Sequence, residues 1–91
     1  MCGQWDFTKP QQPNEVEQKL ADVFEETMNS LSGASYKMLQ LSGKQAGARN
    51  FFFICEQTLA TNPSVKHYVT VLLHLEGAGE RASIINITRF Y

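Results

Sequence analysis

One helix-patterned segment stands near the start of this chain, and every later segment reads as strand. From Asn14 to about Leu31, apolar residues recur at Val16, Leu20, Val23, Phe24, Met28 and Leu31. That spacing makes one apolar stripe on an α-helix. Glu15, Glu17, Lys19, Asp22 and Glu26 fall mostly outside the stripe. Asn14 suits the N-cap, Glu17 completes a capping-box pattern, and Pro13 helps to start the helix. Gly33 is a natural stop. Strand-like runs follow over 36–42, 50–59, 66–75 and 82–90. In the third, Val69, Val71, Leu73 and Leu75 share a face, and in the fourth Ile85 and Ile87 do. The segments between them, Gly43 to Arg49, Thr61 to Ser64 and Glu76 to Glu80, are small, polar and turn-forming.

This order predicts an α+β fold, with a single helix packed on a curved antiparallel sheet of four to five strands. At 91 residues the chain forms one domain with one core. Residues 1–13 carry Gly3, Pro10, Pro13 and several Gln, so they form a partly extended amino-terminal arm. Trp5 and Phe7 are exceptional there. Large apolar groups on such an arm either fold back on the domain or bury in a partner. In a sheet wrapped on one helix, the arm and hairpin tips can lie along one edge. That edge is a docking surface, and no enzyme is expected.

Composition removes several function classes. Hydrophobic content of 43% and aromatic content of 11% argue against disorder. A net charge of −1 gives no electrostatic basis for nucleic-acid binding. No apolar run approaches the roughly 20 residues of a transmembrane segment. His67 and His74 are seven apart on one strand, so they face opposite sides and make no metal pair. Phosphate-cradling and nucleophile-elbow motifs are lacking, and no cofactor is called for. Cys55 lies in an apolar strand, where burial raises a thiol's pKa and makes it inert. Phe51, Phe52 and Phe53 lack a basic face and read as core rather than as a base-stacking platform. The Asn86-Ile87-Thr88 sequon sits inside a strand and reads as a chance match.

The cysteines Cys2 and Cys55 are too few for a disulfide scaffold. Two reduced thiols lean to a cytoplasmic protein. The alternative is a bacterial lipoprotein or secreted protein, with Cys2 as a lipid-bearing residue anchoring the chain through its acyl groups.

Several stretches together resemble the cystatins, and within them the short, disulfide-free stefin branch. Met1-Cys2-Gly3 resembles the stefin amino terminus. Thr8-Lys9-Pro10-Gln11-Gln12-Pro13, followed by Glu15-Val16-Glu17-Gln18-Lys19-Leu20-Ala21-Asp22, resembles the lead into the stefin helix. Tyr36-Lys37, a tip, and Asn50-Phe51-Phe52 resemble the first hairpin, and Lys66 to Leu75 resembles the next strand. The similarity spans nearly the whole chain.

The resemblance implies a reversible, competitive inhibitor of papain-like, cathepsin-type cysteine proteases. Such an inhibitor plugs the cleft with its amino-terminal glycine region and two hairpin tips. Carried over, the protease-binding residues are Gly3, Lys44, Gln45, Ala46, Gly47 and Ala48, with Glu76 and Gly77 as the second contact. The first tip departs from the family's Gln-x-Val-x-Gly, since Lys44 to Ala48 occupies those positions without its three defining residues. The second tip, Leu75-Glu76-Gly77, lacks the proline often found there. Lys44 and Arg49 bring charges that are costly to bury unpaired. These departures leave a second reading, a non-inhibitory cystatin-fold interaction module. The resemblance also implies a monomer able to exchange its helix and neighbouring strand into a domain-swapped dimer.

Overall fold

A computed structural model describes residues 4–91, with the backbone alone at Ala46. A 3-10 turn at Pro13–Glu15 precedes helix α1 at Gln18–Asn29. Strand β1 is Ala34–Gln45, and a second 3-10 turn at Ala46–Ala48 leads to β2 at Asn50–Leu59. Strands β3 at Val65–Glu76 and β4 at Arg81–Arg89 complete the order. The strands make one antiparallel sheet in the order β1-β2-β3-β4, each beside its chain neighbour, as short connections require. The fold is therefore α+β, one helix against a four-stranded antiparallel sheet. The arm adds two isolated antiparallel bridges to the outer edge of β1, at Asp6–Lys44 and Gln11–Leu41.

The core lies between helix and sheet. Val16, Leu20, Phe24 and Met28 meet Leu41, Phe53, Cys55, Val69, Val71 and Leu73. Alternation puts Phe53 with Cys55, and Val69 with Val71 and Leu73, on the same sheet face. The rings of Phe24 and Phe53 lie 4.7 Å apart and join the two layers. Burying side chains of this size contributes about 1.5–3 kcal/mol each. The helix stripe is thus what makes a thin sheet stable.

Three expectations are corrected. The helix opens at Gln18 with Glu17 at its N-cap, not at Asn14. Pro13–Glu15 closes its own turn, in which Glu15 Oε1 accepts the Gln12 amide at 2.8 Å. Val16 then takes an extended backbone and still buries its side chain. At the other end α1 stops at Asn29, and Gly33, at φ 87, turns the chain into β1.

Strand β1 runs beyond Ser42 to Gln45, because Gly43, Lys44 and Gln45 pair with Phe52, Phe51 and Asn50. The first tip is correspondingly shorter than Gly43 to Arg49. In β4, Ile85 and Ile87 do not share a face. The register steps from Leu72–Asn86 to Leu73–Ile84, so Ile85 is an extra residue. Such a bulge resets the alternation. Ile84 and Ile87 pack on the core, while Ile85 is 51% exposed.

Candidate functional site

The three segments singled out from the sequence lie along one edge. Antiparallel pairing puts the β1–β2 tip and the β3–β4 tip at the same end of the sheet. The arm joins them from the outer side of β1. Asp6 donates its amide to the Lys44 carbonyl at 2.9 Å and accepts the Lys44 amide at 3.1 Å. The arm runs antiparallel to β1 at Asp6, so Trp5 and Gln4 lead towards the first tip. Gly3, and Cys2 with it, lie outside the described residues.

Arg49 ties the first tip to the second. Its carbonyl accepts the Leu75 amide at 2.9 Å, and its guanidinium donates to the Gly77 carbonyl at 2.6 Å. Its backbone is left-handed, at φ 55. The charge that appeared costly in a cleft is therefore engaged within the molecule. The second tip turns on Gly77 at φ 57 and Gly79 at φ 84. Both glycines hold conformations that a side chain disfavours. Lys19 reaches the same turn, donating from Nζ to the Ala78 carbonyl at 3.2 Å.

The carried-over residues divide into two groups. Ala46, Gly47 and Ala48 form the 3-10 turn at the tip itself, with Gly47 exposed. Glu76 and Gly77 stand exposed beside it. Lys44 and Gln45 are strand residues of β1, half-buried behind the tip. Gln45 Oε1 accepts Asn50 Nδ2 at 2.9 Å, and Asn50 Oδ1 lies 2.8 Å from His74 Nδ1. This chain crosses β1, β2 and β3 just behind the tips and braces them.

Behind the edge, on the helix side, an open groove of about 390 Å³ is floored by Leu20, Leu41, Phe51 and Leu75. Glu15, Glu17, Lys19, Lys44 and Arg49 ring it. Among the described residues no group of three or more His, Cys, Asp or Glu could hold a metal ion. Cys55 is fully buried, and burial pushes its thiol up to about 12, so it keeps its proton at physiological pH. His67 and His74 do face opposite sides: His67 lies near the Tyr91 carbonyl and the Arg89 guanidinium, and His74 lies near Asn50.

Comparison with protein-family models, curated proteins and solved structures returns no match to this chain. What the edge can do is read from its geometry. Arm, β1, β2, β3 and β4 stand side by side at about 4.8 Å spacing, which makes a rim of about 20 Å. Small residues at its most forward turn permit close approach of backbone to a partner.

Sequence reasoning missed how the arm is held. Trp5 stacks on Phe7 at 5.7 Å, and both meet Phe52 edge-on, at 6.3 and 5.7 Å. Phe52 therefore lies on the sheet face away from the helix, while Phe53 is buried in the core and Phe51 packs against it. A signal was present. Three consecutive phenylalanines in a strand must put the middle one on the opposite face. An apolar ring there needs cover, and the arm carries two.

Proposed function

We propose that this chain is a reversible, non-covalent inhibitor of papain-like cysteine proteases, acting as a cystatin-type wedge. The observation that carries the reading is the joined edge. The arm is bonded to Lys44, and Arg49 bonds the first tip to the second. A rim fixed in this way presents its contacts together, so little conformational entropy is lost on docking.

The tip's shape supports plugging rather than cleavage. Residues Ala46–Ala48 form a tight 3-10 turn, not the extended strand that a protease cleft aligns for attack. Gly47 and Ala48 bring backbone close to the partner. Glu76 and Gly77 add the second contact. Binding forms and breaks no covalent bond.

A second reading is a cystatin-fold interaction module without inhibitory activity. The observation favouring it is the makeup of the first tip, where Lys44 and Gln45 are held back in β1. Membrane anchoring through Cys2 belongs to this second reading.

The deciding experiment titrates the purified protein against papain and a lysosomal cathepsin with a fluorogenic peptide. Competitive inhibition at sub-micromolar concentration is expected. Gly47→Trp should weaken it at least tenfold with unchanged circular dichroism. A folded monomer that leaves both proteases fully active overturns the inhibitor in favour of the module.

A further inference from the structure

We infer that Phe7 and Gly43 form a ring-in-notch lock that sets the position of the amino-terminal arm, and that they are positioning residues for the wedge. The consequence for inhibition rests on the reading just given, whereas the lock itself does not.

Gly43 sits inside β1, buried, opposite Phe52. Its backbone is not left-handed, so no turn requires glycine here. Space does. A Cβ added at Gly43 would lie closer to Cδ1 and Cε1 of Phe7 than real Cβ atoms come, and 3.0 Å from Cζ. The Phe7 ring therefore occupies the volume that any other residue's side chain would fill. An aromatic ring laid over a strand glycine covers exposed backbone and fixes register.

The backbone around the ring shows why the position matters. Asp6 pairs with Lys44, and Gln11 pairs with Leu41. Five steps along the arm thus match three along β1, so the arm bows between the bridges. The Asp6 carboxylate gathers the bow, accepting the Thr8 amide at 2.8 Å and the Thr8 hydroxyl at 2.5 Å. Two isolated bridges alone hold register weakly, and a slip of one residue would turn Phe7 to the other face. Phe7 follows directly after the Asp6 bridge, and its ring admits only one register. Trp5 and Phe52 close the ring from two further sides.

The chain has a single tryptophan, Trp5, so its fluorescence reports the lock directly. The variants Phe7→Ala, Gly43→Ala and the double variant are compared with the parent by emission maximum, iodide quenching and papain inhibition. Phe7→Ala and Gly43→Ala should each red-shift Trp5 and at least double its quenching constant. Each should also weaken inhibition about tenfold. The double variant should be no worse than Phe7→Ala alone, because the three atoms nearest the added Cβ all belong to the ring.

Unchanged Trp5 quenching in Phe7→Ala, an exposed position that should fold, overturns the lock. Equal penalties for Gly43→Ala with and without Phe7 overturn the notch. If the parent does not inhibit papain, the inhibitor reading falls while the fluorescence result still decides the lock. If the parent inhibits and Phe7→Ala inhibits equally well, the lock has no positioning role.

Discussion

Arg49 does two opposed things at one position. Its left-handed backbone costs about 1–2 kcal/mol for a residue with a Cβ. Its guanidinium meanwhile holds the Gly77 carbonyl. Arg49→Ala separates these effects, keeping the Cβ and its backbone cost while cutting the tie. The expected result is faster hydrogen exchange at the Gly79 amide, which closes the second tip onto Glu76. Unchanged exchange there would show that the guanidinium does not hold the tip.

Asp6 gives a pH dependence. Hydrogen bonds from the Thr8 hydroxyl and amide hold its carboxyl below the ordinary value of 3.8. A depressed folded value means that the bow is stabilised above 3.8 and loosens as pH falls below it. Trp5 emission should therefore hold steady from neutral pH to about pH 5 and change only in stronger acid. A shift already complete at pH 5 would assign the arm's stability to another group.

Cys55 has the opposite sign. Burial raises its thiol from 9.0 to about 12. The unfolded chain releases this proton first, so stability falls above pH 9 by about 1.4 kcal/mol per unit. Denaturation of the parent and of Cys55→Ala at pH 8 and 10.5 checks this. Parallel losses in the two proteins would leave Cys55 with no part in the slope.

At the scale of elements, the bulge in β4 makes a sharp comparison. Ile84→Asp puts a charge on the core and should cost at least about 3 kcal/mol, whereas Ile85→Asp should stay within about 0.5. Urea denaturation reads both, and equal losses would contradict the observed register. The same bulge shows what local pattern can and cannot give. Strand β2 falls where its apolar run lies, at Asn50–Leu59, because consecutive large apolar residues need no distant help to be recognised. The helix stripe was legible in its middle, since Leu20, Val23, Phe24 and Met28 are buried on α1, whereas Val16 and Leu31 lie outside the helix. Ile85 was misplaced because one inserted residue inverts alternation without any compositional mark. Gly43 to Gln45 looked like a loop for a related reason. These residues are held in β1 by partners from the arm and from β2, and pairing to distant segments leaves no trace in local composition. At the edge that carries the hairpin tips, the sequence located both of them. The Arg49 tie and the aromatic cover of Gly43 depend on contacts 28 residues apart in one case and on arm-to-strand packing in the other. Neither can be read along the chain.

The whole molecule measures 46 × 25 × 24 Å, with the long strands setting its length. Its two sheet edges are unequal. The outer edge of β1 is covered by the arm at Leu41 and Lys44. The outer edge of β4 pairs with nothing among the described residues. Its bulge at Ile85 and the terminal Arg81 and Arg89 make it a poor template for another strand, though not a closed one. In the language of step-growth chemistry, the molecule is monofunctional. A unit with one reactive edge can join one other unit, and growth ends there. Removing residues 1–12 makes the same unit bifunctional. The shortened protein should scatter light increasingly with concentration and time, while the parent does not. The arm would then be a chain terminator, whatever else it meets.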